Sequence, residues 1–145
     1  MSDYVFSSHN FKTMQELMKN PLQGIYCSPD ESILTKFHVL LVGAFDTPYE
    51  GGFFYFTLNF PSNYPNEPPK VKLHTTGGGT VRFNPNLYAN GKVCLSILGT
   101  WSGPSWDPVQ TLSSVLLSIQ VENNKLNCCW DISILLFCTL PSSSR

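Results

Sequence analysis

Near the start of the chain, apolar Phe11, Met14, Leu17 and Met18 recur at helical spacing after polar Ser7 to Asn10, and Asn20-Pro21 ends the pattern. The spacing predicts a short amphipathic first helix, with Lys12, Glu16 and Lys19 on a solvated face. Three strand-like runs follow, Lys36 to Ala44, Gly52 to Phe60 and Lys70 to Thr75. Turn-rich Asp46-Thr47-Pro48-Tyr49-Glu50-Gly51 and Pro61-Ser62-Asn63-Tyr64-Pro65 separate them. Connections this short favour an antiparallel meander, and Gly24 to Ser28, ahead of Pro29-Asp30, offers a first edge strand.

Regular periodicity then fades from Thr76 to Pro108, a stretch punctuated by Gly77, Gly78, Gly79, Pro85, Gly91, Gly99, Gly103 and Pro104. A loop this long inside a compact domain is uncommon and often functional. Asp107-Pro108 reads as an N-cap followed by proline at the first helical position, with Gln110 completing a capping box. Val109, Leu112, Val115, Leu116 and Ile119 then form the buried stripe of a second helix. After Gln120 the character changes: Val121 to Lys125 is polar, Asn127 to Leu140 is rich in cysteine and aliphatics, and Pro141 to Arg145 is a loose end. The expected organisation is one domain over residues 1–120 and a divergent tail over 121–145, without repeats or a linker.

Composition narrows the partners. The chain has 145 residues, 42% of them hydrophobic, enough for one core that buries roughly 70% of the unfolded surface. Ten acidic against nine basic residues give a formal charge of -1, so no electrostatic footprint points to nucleic acid or an anionic membrane, and proteins are the expected partners. Cys27, Cys94, Cys128, Cys129 and Cys138 are an odd set without zinc-type spacing, and Met-Ser-Asp-Tyr lacks the charged and apolar regions of a secretion signal. Both features point to a reducing, intracellular compartment. Ile132 to Leu140, broken by Ser133 and Thr139, falls short of the roughly 20 apolar residues that span a bilayer.

The candidate chemistry lies in Asn84-Pro85-Asn86-Leu87-Tyr88-Ala89-Asn90-Gly91-Lys92-Val93-Cys94-Leu95. Cys94 is the only cysteine in a glycine-rich loop, and a thiol with a reference pKa of about 8.5 has enough thiolate at neutral pH to attack an activated acyl group. A buried structural cysteine is the competing reading. Asn86, eight positions earlier, carries an amide that can donate to the oxyanion formed when an amine attacks a thioester, although Asn-Pro-Asn more commonly just orders a turn. A cysteine hydrolase needs a base, but His38 falls in a strand pattern and His74 at a strand end, which leaves only His9 outside the strands. A thioester carrier fits better, because its electrophile arrives already activated. Tyr64-Pro65-Asn66-Glu67-Pro68-Pro69-Lys70-Val71 has three prolines and reads either as a stiff docking edge or as a plain strand connection.

The order of these motifs, from about Phe11 to Gln120, resembles the ubiquitin-conjugating enzyme family. The signposts are Asp46 to Gly52, Tyr64-Pro65 with Pro68-Pro69-Lys70-Val71, Asn84-Pro85-Asn86, Gly91 with Cys94-Leu95, and Trp106-Asp107-Pro108. The resemblance implies an α+β fold: a four-stranded antiparallel meander sheet, an N-terminal helix and a central helix behind the active-site loop. It further implies that Cys94 carries ubiquitin or a ubiquitin-like modifier as a thioester and passes it to a substrate lysine with help from a ubiquitin ligase, Asn86 being the active-site asparagine. Lys12 and Lys19 match the surface met by the activating enzyme, and Pro65, Asn66, Trp106 and Pro108 match the loops met by ligases. No metal or organic cofactor is implied, since ATP is consumed upstream by the activating enzyme. The implied location is cytoplasmic, with the nucleus as a second compartment.

Three departures qualify the match. Asn84 stands where the family usually has histidine. Gly99 to Ser105 lengthens the stretch between cysteine and tryptophan, and Thr80 to Asn86 with Leu98 to Trp106 is similar to the family's Z-type branch. From Val121 onward the family's C-terminal helices are not found, and no residue can be assigned to orient the incoming lysine. The alternative reading is therefore a truncated, catalytically weak or inactive fragment that binds ubiquitin or a ligase. A plain interaction domain with an incidental cysteine requires the whole ordered motif set to be coincidence.

Overall fold

Alternating inward and outward side chains build four strands in the computed structural model, which describes residues 12, 13, 15–17 and 19–124. These are β1 (Ile25–Pro29), β2 (Lys36–Val42), β3 (Phe53–Asn59) and β4 (Lys70–Leu73). They pair antiparallel in chain order, the meander expected from the short connections. Val39 lies opposite Phe56 and Leu41 opposite Phe54, while Phe56 lies opposite Leu73. With a period of two these residues share one face, and all are fully buried. The other face carries Tyr26, Leu40 and Tyr55 in register across three strands.

A helix covers the inner face. α2 (Leu112–Asn124) presents Leu112, Val115, Leu116 and Ile119, one stripe at 3.6-residue period and all buried. α1, helical at residues 12, 13, 15–17 and 19, adds Leu17 to the same core and leaves Lys12, Glu16 and Lys19 exposed. The readings placed on His9, Phe11, Met14, Met18 and everything after Asn124 lie outside the described residues.

The start of α2 differs from expectation. The Asp107 side chain accepts from the Val109 amide at 2.9 Å, and the Gln110 side chain accepts from the Asp107 amide at 3.2 Å. These bonds close a turn, completed by the Gln110 amide on Asp107 O at 2.8 Å, rather than opening a helix. The helix begins after Thr111, whose hydroxyl accepts from the Ser114 amide at 3.3 Å. Val109 is accordingly 87% exposed instead of joining the buried stripe. Trp106 supplies the reason: its indole N–H donates to Pro65 O at 2.7 Å, which anchors the entering chain beside another loop before the helix can start. At the other end, the Gln120 side-chain amide donates to Gln23 O at 2.8 Å and α2 continues to Asn124, so the compositional change at Val121 falls within a helix.

The turn after β2 requires glycine at one position. A Cβ on Gly43 would lie 1.6 Å from Tyr49 O. That close approach seats Tyr49 in the core, edge-on to Phe54 and Phe83.

Candidate active site

β4 delivers the chain to the loop, and the loop returns to β4. The Leu73 amide donates to Gly91 O at 2.9 Å, and Lys72 pairs with Lys92 in an isolated bridge. Gly91 has φ of 87°, and a Cβ there would approach Leu73 O to 2.4 Å, so only glycine allows this contact. Further bridges join Leu87 to both Asn84 and Val93, folding residues 84–93 back on themselves.

Four side chains fix the loop's shape. The buried Tyr49 hydroxyl donates to Phe83 O at 2.8 Å. Asn84, in the position the family usually gives to histidine, is only 4% exposed and accepts from the amides of Asn86 at 2.8 Å and Leu87 at 2.7 Å. It thus caps the turn as an Asx motif. Arg82 donates to Asn84 O at 3.2 Å and Pro85 O at 2.9 Å, with its guanidinium 4.1 Å from the centre of the Tyr88 ring. Thr100 binds the backbone on either side of Cys94.

Cys94 and Asn86 meet at the centre of this frame. The Cys94 amide donates to Asn86 O at 2.8 Å, and the Asn86 side-chain amide donates to Cys94 O at 2.7 Å. The bond to Cys94 O uses one hydrogen of that NH2, and an amide carries a second. Cys94 is only 2% exposed, the burial that the competing reading of a structural cysteine expects. Next to it, a groove of about 410 Å³ is bordered by Lys70, Lys92, Val93, Leu98 and Thr100.

The remaining candidates occupy other elements. Pro65 and Trp106 are brought together by the indole bond, and the Tyr64 ring lies 6.0 Å from that of Trp106. Asn66 and Pro108 are exposed on the two joined loops, and Lys12 and Lys19 are exposed on α1. The two described histidines, His38 and His74, serve the outer sheet face. His38 contacts Tyr55 Oη at 2.7 Å and Asp30 Oδ2 at 3.0 Å, and His74 contacts Thr57 Oγ1 at 2.8 Å. Burial and then nearby Lys72 lower the His74 pKa. Among the described residues no group of three or more His, Cys, Asp or Glu is placed to hold a metal, and no helix is long and apolar enough to cross a membrane.

The residue pattern carries no signal for the roles of Tyr49, Arg82 and Thr100. Each acts through a backbone atom of a partner distant in sequence or across a turn, which leaves no periodic trace. Asn84 had a visible signal, since asparagine two residues before an amide to be capped is a common turn device.

Comparison with known proteins gives four matches. A family profile described as ubiquitin-conjugating enzyme matches residues 10–127. Ubiquitin-conjugating enzyme E2 Z from Xenopus tropicalis is 60% identical over 109 residues, 75% of this chain and 35% of that protein. The human E2 Z protein is 59% identical over 109 residues, 75% of this chain and 31% of its own length. This chain therefore spans about a third of the length of these relatives. Among solved structures, human ubiquitin-conjugating enzyme E2 G1 superposes with a TM-score of 0.69 at 36% identity, covering 81% of this chain and 93% of that one.

Proposed function

Since this chain belongs to the ubiquitin-conjugating enzyme family, a family of acyltransferases, we propose that it accepts ubiquitin or a ubiquitin-like modifier as a thioester on Cys94 and passes it to a substrate lysine. The observation that carries the reading is the reciprocal pairing of Cys94 and Asn86, whose amide lies 2.7 Å from the Cys94 carbonyl oxygen. In discharge, the lysine nitrogen bonds to the acyl carbon, the C–S bond breaks, the electron pair leaves on Cys94 Sγ and the amine proton passes to water. Asn86 offers its second amide hydrogen to the oxyanion of the tetrahedral intermediate. Exposed Lys12 and Lys19 on α1 serve the activating enzyme, which consumes the ATP, and the joined loops with Pro65, Asn66, Trp106 and Pro108 serve a ligase. The domain needs no metal or organic cofactor of its own.

The test is to incubate the chain with ATP, modifier and activating enzyme, using several modifier and enzyme pairs, and to look for an adduct removed by thiol reductant. Cys94→Ala should abolish it, and Cys94→Ser should give a slower, reductant-resistant oxyester. An adduct that persists unchanged in Cys94→Ala sinks the assignment. One observation favours a second reading, a weak or inactive binding fragment: Cys94 is only 2% exposed. A chain that binds a ligase yet stays uncharged with every pair supports it.

A further inference from the structure

The backbone around Cys94 is held from two sides, and only one of them is Asn86. Cys94's own amide and carbonyl both go to Asn86. Of its neighbours' polar groups, the Val93 carbonyl and the Leu95 amide go to Thr100, and the Leu95 carbonyl is shared between Thr100 and the Leu98 amide at 3.1 Å. The Thr100 hydroxyl oxygen accepts from the Leu95 amide at 2.9 Å and lies 2.9 Å from Val93 O and 3.2 Å from Leu95 O. With a single hydrogen to give, it serves the nearer Val93 carbonyl first. The Thr100 amide adds a bond to Leu95 O at 3.1 Å. The chain reaches this position through a one-turn 3-10 helix, Ser96–Leu98, closed by Gly99 at φ of 66°.

From this geometry we infer that Thr100 is a positioning residue for acyl transfer, an inference that rests on the reading of Cys94 as the acceptor thiol. Val93, Cys94 and Leu95 are buried while Thr100 lies at the surface, so water can enter the vacated place but does not hold the 93–95 peptides in one orientation as the tethered hydroxyl does. Without the hydroxyl, the Leu95 amide and Val93 carbonyl lose their partner and the 93–95 peptides turn to find others. That rotation carries the Cys94 carbonyl away from the Asn86 amide and moves the oxyanion donor relative to Sγ. Thr100 touches neither modifier nor lysine; it acts through Cys94 and Asn86.

The experiment uses the full chain with Thr100→Val, which keeps the shape and removes the hydroxyl, and Thr100→Ser, which restores it. Single-turnover discharge is measured against lysine concentration, alongside alkylation of Cys94 by iodoacetamide, mapped by peptide mass, and thermal melting. Thr100→Val should lower the maximal discharge rate by on the order of 10- to 10²-fold through misplacement, with the lysine concentration at half-maximal rate little changed. Its Cys94 should alkylate faster as the buried backbone loosens, and Thr100→Ser should return both rates to within about threefold of the parent, the scale of a modest hydrogen-bond difference. Discharge at the parental rate in a well-folded Thr100→Val overturns the inference, and so does a Thr100→Ser as slow as the valine variant. If Thr100→Val does not fold, amide exchange in the unaltered chain decides: slow exchange at Leu95 supports the bond to Thr100, and exchange at the rate of an unprotected loop overturns it. A parent chain that never charges defeats the acceptor-thiol reading itself, whereas the alkylation and exchange measurements, which need no modifier, still report on the clamp.

Discussion

Asn86 makes two kinds of contact with one neighbour, and substitution separates them. Asn86→Ala keeps the backbone bond to the Cys94 amide and removes the side-chain donor to Cys94 O. The lost neutral hydrogen bond costs about 1 kcal/mol of stability. The lost oxyanion donor should slow discharge to lysine by on the order of 10² to 10³ while thioester formation stays largely intact. The two half-reactions are measured separately, and equal losses would show that Asn86 only holds the loop's shape. Cys27 gives a contrast in the same protein. It is half-buried beside a cavity of about 220 Å³ shared with Leu17, Leu22, Ile25 and Leu116, and burial pushes its thiol up to about 11. Compared with the ordinary thiol value of 9.0, its thiolate fraction at neutral pH is lower by roughly 10²-fold, so alkylation should be slow and rise about tenfold per pH unit up to that range. Mapping of labelled peptides against a Cys27→Ser control checks this, and a plateau below pH 9 contradicts it.

Between β1 and β2 one carboxylate organises a whole turn. Asp30 Oδ1 accepts from the Ser32 amide and hydroxyl and the Ile33 amide, and Oδ2 meets Lys36 at 2.9 Å and His38 at 3.0 Å. The Lys36 ammonium first, and the Ser32 bonds next, hold its pKa well below the usual carboxylate range. A depressed folded pKa means a contribution fully present above the unfolded value of about 3.9 and lost as pH falls below it. Asp30→Asn should therefore melt at lower temperature than the parent at pH 7, and the gap should shrink below pH 4; a gap that widens in acid contradicts the assignment. At the entry of α2, Thr111→Ala should cost about 1 kcal/mol as a lost cap. Asp107→Ala opens a turn outside the helix and should leave amide protection within α2 unchanged. The reverse ranking would place the helix start back at Asp107-Pro108, where the capping pattern alone puts it.

Across the whole molecule, stability rests on the sheet's inner face against α2. Phe56 sits on β3 between β2 and β4 with no exposed surface, so Phe56→Ala should cost about 3 to 5 kcal/mol. That is a large share of a total of roughly 5 to 15, readable as a shifted denaturant midpoint. Leu117→Ala, on the exposed side of α2, should change it by no more than about 0.5 kcal/mol, and comparable losses at both sites would mean the inner face is not the core. The residue pattern alone determined the four strands, their meander order, the α2 stripe at Leu112, Val115, Leu116 and Ile119, and the loop that carries Asn86 and Cys94. These follow from hydrophobic period and short connections, which are local properties written residue by residue. Only the tertiary structure decided that α2 starts after Thr111, that Cys94 is buried, that Asn86 engages the Cys94 carbonyl, and that Trp106 binds Pro65 and Tyr49 binds Phe83. The Asn86, Trp106 and Tyr49 bonds each join a side chain to a backbone carbonyl from another part of the chain. Such a bond has no period along the sequence and exists only once the sheet has brought the loops together.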